Sequence, residues 1–236
     1  MLPNEVIDNI RSFESSITPV DNKKKEKSKP KHSMEDWEAI RSFKPTKKVE
    51  VKEGIDTYIY NLRNALNKIS EKNLEKQKET IFKNMDDIMC NEELNNKKDE
   101  VVNMVYDLVS VNKVYSRMYA ELYKDLVEKY DIFKNKLNNI VNEYKSSLLN
   151  VEFVSAEENY DEYCKYNKAN DKVKSRTLFI SNLLKIGMVS SNDYFDIMQY
   201  LIMLLLKNAD IENKENEVDE LTENMFIICL LYTSDA

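Results

Sequence analysis

The chain has 236 residues, 42% of them hydrophobic, and a net charge of −7, which suits one sizeable core but not non-specific binding of RNA over the whole surface. Only two glycines and four prolines occur, too few for the turns of hairpins and barrels or for glycine-rich phosphate loops. One histidine and three widely spaced cysteines offer no metal site or catalytic triad. We therefore expect an all-α protein that is not an enzyme and that uses no cofactor and no small-molecule substrate.

Residues 1–32 lack a sustained apolar period and contain six lysines within the eleven residues 22–32. Such a segment cannot bury a core, so we interpret residues 1–32 as a disordered basic tail. Its lysines are candidates for contacts with RNA phosphates, and the alternative is a solvated tail without a ligand. These lysines are Lys23, Lys24, Lys25, Lys27, Lys29 and Lys31.

Residues 33–50 combine a short helical pattern with an extended linker. Trp37, Ile40 and Phe43 recur at a spacing of three after a helix-start signal. Pro45 then interrupts the pattern, because the residue before a proline is pushed towards extended backbone. We predict a docking segment that presents an aromatic side chain on a linker.

A strong helical period begins at residue 55. The apolar spacing predicts successive helices over about 55–69, 74–89, 101–109, 115–133 and 137–148, the last two separated near Asp131. Residues 150–172 are polar, and we interpret them as a connecting insertion with some helix. Periodicity resumes at Val173, stops at Gly187, and restarts after Ser190.

The final predicted helix, about 194–208, is apolar nearly all round. This composition predicts burial between neighbouring helices on several sides. Its apolar stretch of about ten residues, 197–206, is too short for a membrane span, which needs roughly 20. Sequential pairs of helices with short loops are typical of stacked antiparallel helix hairpins, a solenoid of the HEAT type with ~40 residues per repeat. The alternative is a simple helix bundle.

Four segments, in this order, resemble the middle domain of translation initiation factor 4 gamma. They cover the opening aromatic-Lys-Pro element, the first repeat, the start of the second repeat and the start of the third. The segments are Phe43-Lys44-Pro45-Thr46, Leu66-Asn67-Lys68-Ile69-Ser70, 110–120 (with Tyr115, Ser116, Tyr119 and Ala120 in the motif positions) and 174–188. The resemblance covers about residues 42–228. The asparagine- and lysine-rich composition and the residues of 115–126 are more similar to versions from large DNA viruses than to animal versions.

The resemblance implies a scaffold in translation initiation that binds a DEAD-box RNA helicase of the initiation factor 4A type, and also mRNA and other initiation factors. ATP hydrolysis would then belong to the helicase. The implied helicase-binding residues are Phe43, Lys44, Pro45, Asn67 and Lys68. Phenylalanine stands at position 43 where the family usually has tryptophan, which should weaken this contact.

Two other functions stay open at this point. The first is a related helical-repeat adaptor in mRNA decay or splicing, which would choose another DEAD-box partner. The second is an RNA-binding helical module that acts through residues 23–31 without a helicase. The sparse, odd number of cysteines and the lack of an N-terminal leader predict a cytoplasmic protein, in the host cytoplasm if the chain is viral.

The C-terminal residues 229–236 resemble a translated sequencing adapter. We expect the natural sequence to be cut at about Ile228, so that residues 51–228 form an incomplete, C-terminally truncated middle domain. Such added residues do not contribute to fold prediction.

Overall fold

A computed structural model describes residues 54–233, with side chains described for 54–230. This part of the chain folds into eight α-helices and one 3₁₀-helix and contains no strand, so the predicted all-α class is confirmed. The elements are α1 (Ile55–Asn67), α2 (Leu74–Cys90), the 3₁₀-helix (Glu92–Lys97), α3 (Lys98–Ser110), α4 (Ser116–Lys129), α5 (Asp131–Leu148), α6 (Tyr160–Lys185), α7 (Ser191–Ala209) and α8 (Glu215–Thr233).

The helices pack mainly on their near neighbours in the chain. The pairs α1 and α2, α4 and α5, and α7 and α8 contact each other, and α6 packs against both α4 and α8. Within residues 54–233, every substantial helix contact joins elements at most three positions apart. Such short-range packing is typical of repeat proteins, and the HEAT-like solenoid itself stays a prediction.

Four aromatic rings from successive helices meet in the middle of the core. Tyr123 on α4 lies edge-on to Phe133 on α5 and to Phe179 on α6, with ring centroids 5.7 and 5.8 Å apart. Tyr106 on α3 contacts Tyr123 and Phe179 at 6.2 and 6.3 Å. Edge-to-face pairs of this kind add to the energy of area burial. The cluster therefore joins α3, α4, α5 and α6 at one point.

The predicted stop and restart around Gly187 are confirmed. Gly187 has a φ of 75°, a left-handed conformation that glycine adopts without strain. Its N–H donates to the Leu184 carbonyl and the Met188 N–H donates to the Leu183 carbonyl, at 2.9 and 2.8 Å, which closes α6 with a Schellman motif. The Ser190 hydroxyl then accepts from the N–H of Asp193 and caps α7.

The interpretation of residues 150–172 as an insertion is only partly right. Helix α6 begins at Tyr160 and continues without a break to Lys185. The Asn159 side chain accepts from the Glu162 N–H at 3.1 Å and caps the helix start. Only residues 151–159 connect α5 to α6 without a helix.

The prediction that residues 194–208 are buried on several sides is wrong. Helix α7 contacts α5 and α8, and within residues 54–230 these neighbours cover one face of it. The buried side chains of α7 are Tyr194, Ile197, Leu201 and Leu204. A stripe of large apolar side chains on the other face is exposed to solvent, namely Phe195, Ile202, Met203 and Leu206.

The basic tail (1–32) and the docking segment (33–50) lie outside the described residues. At the other end, α8 passes through Ile228 to Thr233, and the Ile228 carbonyl accepts a hydrogen bond from the Tyr194 hydroxyl at 2.7 Å. The adapter interpretation of residues 229–236 stays a prediction. No helix within residues 54–233 has both the length and the apolar character required to cross a lipid bilayer.

Candidate docking groove on the first helix hairpin

An open groove of about 770 Å³ runs between α1 and α2. Both helices are amphipathic, and their apolar faces are buried on the side of the domain core, which leaves polar side chains along the groove. The lining residues are Tyr58, Asn61, Asn64, Ala65, Lys68, Lys76, Gln77, Thr80, Lys83, Asn84 and Asp87. We call this feature the hairpin groove.

The hairpin groove is rich in lysines and side-chain amides. Three lysines line it against a single carboxylate, that of Asp87. Asn84 is buried, donates to the Thr80 carbonyl at 2.7 Å, and accepts a long contact of 3.5 Å from the Asn61 amide. Amides both donate and accept hydrogen bonds, and lysines donate to carboxylates or phosphates. The groove is therefore suited to a polar, negatively charged ligand surface.

Asn73 orders the turn at one end of the hairpin groove. Its side-chain oxygen accepts from the Ser70 N–H, and its amide nitrogen donates to the Lys68 carbonyl, both at 2.8 Å. These two bonds close the turn between α1 and α2 and fix the backbone of Lys68. Asn73 was not among the predicted site residues, although an asparagine directly before the first residue of a helix is a usual helix-start signal.

The structure places only some of the predicted helicase-binding residues. Lys68 is exposed and lines the hairpin groove, whereas Asn67 is exposed at the end of α1 and does not line it. Phe43, Lys44 and Pro45 lie outside the described residues, as do the six lysines of 23–31. Lys76 and Lys83 were missed, because lysines on an amphipathic helix carry no sequence signal that separates a binding face from a solvated one.

Buried hydrogen bonds connect the segments that carry the family resemblance. The Tyr119 hydroxyl donates to the Leu66 carbonyl at 2.7 Å and joins α4 to the end of α1. The Asn182 amide donates to the Ser116 hydroxyl at 3.0 Å and joins α6 to α4. All of these side chains are buried. These hydrogen bonds hold successive helix pairs together. They position the hairpin groove next to Leu66 but do not line it.

A charged contact also joins α2 to the C-terminal end of α4. The Asp86 carboxylate accepts from the Lys129 ammonium at 2.8 Å and from the Tyr130 hydroxyl at 2.7 Å. The Lys129 ammonium also lies over the rings of Phe82 and Tyr130, at 5.1 and 5.2 Å from the centroids. The hydrogen bonds from Lys129 and Tyr130 lower the pKa of the Asp86 carboxyl below its usual 3.8, against a smaller opposing effect of burial.

This lowered pKa predicts an acid-dependent loss of stability at the contact of α2 with α4. The contribution is present above the ordinary pKa of 3.8 and is lost as the pH falls through the lower pKa of the folded state. We expect the free energy of unfolding of Asp86→Asn to fall less steeply than that of the wild type from about pH 5 to about pH 2.5. Urea denaturation at a series of pH values measures the free energy of unfolding of each variant, and Asp87→Asn is the control. Equal slopes for the wild type and Asp86→Asn would contradict the assignment.

Within the part of the chain that the structure describes, no group of three or more histidine, cysteine, aspartate or glutamate side chains is placed to hold a metal ion. The hairpin groove is an open concavity whose lysine and amide side chains can bind a ligand by hydrogen bonds and charge. In comparisons with known proteins, no family model matches the sequence, and no curated protein and no solved structure matches the chain.

Proposed function

We propose that the protein is a non-catalytic helical scaffold of translation initiation, of the type found in the middle domain of initiation factor 4 gamma. Its partner in this proposal is a DEAD-box RNA helicase of the initiation factor 4A type, and it also contacts mRNA and other initiation factors in the cytoplasm. The segments of resemblance support the family, and the helicase supplies the ATP hydrolysis.

The observation that carries the proposal is the hairpin groove. The resemblance implies that the first repeat contacts the helicase, and the first described hairpin has a lysine- and amide-lined groove that includes Lys68, one of the implied residues. Phe43 would supply an aromatic anchor from the preceding linker, since buried aromatics dominate the energy of many interfaces. The lysines Lys76 and Lys83 extend the implied contact along α2 and favour a carboxylate-rich partner surface.

A scaffold of this kind acts by preferential binding. If the protein binds one arrangement of the two helicase lobes more tightly than the others, it shifts the helicase towards that arrangement by the difference in affinity and no more. The helical domain needs no catalytic group for this effect. The expected outcome of binding is a higher ATPase rate of the helicase, whose own active site is unchanged.

Reversing two charges in the hairpin groove tests the proposal. We expect Lys76→Glu with Lys83→Glu to weaken binding of a purified 4A-type helicase roughly tenfold, mainly through slower association, because the groove then repels the acidic surface that it attracts. Surface plasmon resonance at two salt concentrations gives the rates, and Phe43→Ala in the same experiment tests the aromatic contact.

The matched control is Lys168→Glu with Lys172→Glu, which makes the same change of charge on exposed positions of α6 outside the groove. Its affinity for the helicase should stay close to that of the wild type. If both double variants lose the same affinity, overall charge and not the groove drives binding. No detectable binding by the wild type would reject the helicase as a partner.

The lysines of the hairpin groove also favour a second candidate, an RNA-binding helical module without a helicase. Lys68, Lys76 and Lys83 could neutralise phosphates. The logarithm of the binding constant would then fall steeply and linearly with the logarithm of the salt concentration. Fluorescence anisotropy with a labelled single-stranded RNA separates the two functions. Loss of RNA binding in the groove variant, together with no helicase binding by the wild type, would favour the RNA-binding module. A decay or splicing adaptor would instead bind a different DEAD-box helicase.

A further inference from the structure

The exposed face of α7 carries a run of large apolar side chains. Phe195, Ile202, Met203 and Leu206 all lie on it, spaced so that they form one stripe along the helix. The stripe is about 16 Å long, from the rise of 1.5 Å per residue. Exposed apolar stripes of this kind mark contact surfaces in soluble proteins. We call it the α7 stripe.

The charges beside the α7 stripe make it complementary to itself. Asp196 and Lys207 lie eleven residues apart, about three helical turns, on the same edge of the stripe near its opposite ends. When two copies of one helix pair antiparallel, the same edges of the two helices meet, in opposite directions. Asp196 of each copy would then lie beside Lys207 of the other, while Phe195 would lie beside Leu206.

We propose that the α7 stripe is a self-association surface, through which two copies of this chain pair their α7 helices antiparallel. The two-fold axis crosses the stripe about midway along it, at the height of residues 200–201 on the helix axis. The pairing is isologous, which means that the same surface of each copy forms the interface. The apolar side chains supply the burial, and two Asp196–Lys207 ion pairs set the direction and register.

The neighbouring α8 is less suited to the same role. Its exposed side carries Glu215, Asp219 and Glu223 together with the apolar Phe226, so two copies of α8 would bring like charges together. Asp196 already contacts Lys145 of its own chain at 3.1 Å, and its side chain is still 64% exposed. It is therefore accessible to a second lysine from the partner copy.

The pairing should be weak. One pair of short helices buries less than the roughly 1,200 Å² that stable interfaces exceed, so we expect a dimer in the micromolar range. Sedimentation equilibrium of the full chain, at concentrations from about 1 to about 200 µM, should show a mass rising from 27.9 kDa towards twice that value. Reducing agent is present throughout, because Cys90, Cys164 and Cys229 are exposed and could cross-link copies.

Substitutions in the α7 stripe test whether the dimer forms through this surface. Leu206→Glu should weaken dimerisation roughly tenfold or more, because each dimer receives the change twice. Leu149→Glu is the matched control, since Leu149 is 59% exposed against 69% for Leu206 and lies outside α7. A chain that stays monomeric at every concentration, or a dimer that is equally sensitive to both substitutions, would overturn the proposal.

A charge exchange tests the antiparallel direction. Asp196→Lys alone and Lys207→Glu alone should each weaken the dimer roughly threefold to tenfold, because like charges then meet. The double variant Asp196→Lys with Lys207→Glu should return to within about twofold of the wild type. Thermal unfolding of each variant is recorded in parallel, because Asp196→Lys also removes the contact with Lys145. A double variant as weak as the weaker single one would overturn the antiparallel pairing.

Discussion

Replacing Phe179 with alanine is expected to lower the free energy of unfolding by about 3–5 kcal/mol, the usual range for a fully buried phenylalanine. Phe179 has no exposed surface, and its ring contacts Tyr106 and Tyr123 at 6.3 and 5.8 Å. The substitution removes these ring contacts and leaves a cavity where α3, α4 and α6 meet. Because the core is closely packed, the surrounding helices can collapse into the cavity only in part.

Chemical denaturation measures this loss, and Phe195→Ala provides the matched control. Phe195 is the same residue type but is 57% exposed on α7, so its loss should change the stability by less than about 0.5 kcal/mol. A thermal midpoint lower by roughly 10 °C is expected for Phe179→Ala. Equal effects of the two substitutions would show that the aromatic cluster does not form the centre of the core.

The order of the first seven helices, from residue 55 to about residue 208, was predictable because each has its own apolar period or end signals. Helix α8 (Glu215–Thr233) was not predicted, since 194–208 was taken as the final helix. Gly187 and Ser190 illustrate this, since a left-handed glycine and a capping serine act locally, through bonds to residues three to five positions away. Local chemistry of this kind can be read from one sequence. The split between α4 and α5 at Asp131 was predicted for the same reason.

Two features depended on tertiary structure and were misjudged. The first half of α6 has few apolar residues, so its period was too weak to predict a helix from Tyr160, although Asn159 and Glu162 form a visible cap. Helix α7 was interpreted as buried on several sides because apolar composition normally predicts burial. Its exposed stripe shows that composition alone does not say which neighbours are present.

The hairpin groove could be predicted only in part. The family resemblance predicted Lys68, at the end of α1, as a binding residue, and Lys68 lines the groove. The other lysines come from α2, and their approach to α1 depends on the rotation of each helix about its axis and on the crossing angle between them. These quantities follow from side-chain packing between helices, which the apolar period of one helix does not specify.

Three buried polar side chains form a hydrogen-bonded network where α5, α6 and α8 meet. The Tyr144 and Thr177 hydroxyls lie 2.6 Å apart, and the Thr177 hydroxyl lies 2.6 Å from the side-chain oxygen of Asn224. Burial raises the pKa of Tyr144, which keeps its phenol protonated as a donor. The single hydroxyl proton of Thr177 faces two acceptors, the Asn224 side-chain oxygen and the Val173 carbonyl at 3.0 Å. Tyr144 is therefore the donor to Thr177. This network joins α5, α6 and α8 through buried groups.

Thr177→Val keeps the shape of the side chain but removes the central hydroxyl, leaving a buried donor on Tyr144 and a buried acceptor on Asn224. At about 1–3 kcal/mol for each of the two unpaired groups, we expect the free energy of unfolding to fall by about 2–6 kcal/mol. Adding Tyr144→Phe should recover part of this loss, because the unpaired Tyr144 hydroxyl is then removed as well. Under the proposed function, helicase binding should be unchanged where the variant is folded, since Tyr144, Thr177 and Asn224 all lie outside α1 and α2. A loss below about 0.5 kcal/mol, or no recovery in the double variant, would mean that the three groups do not act as one network.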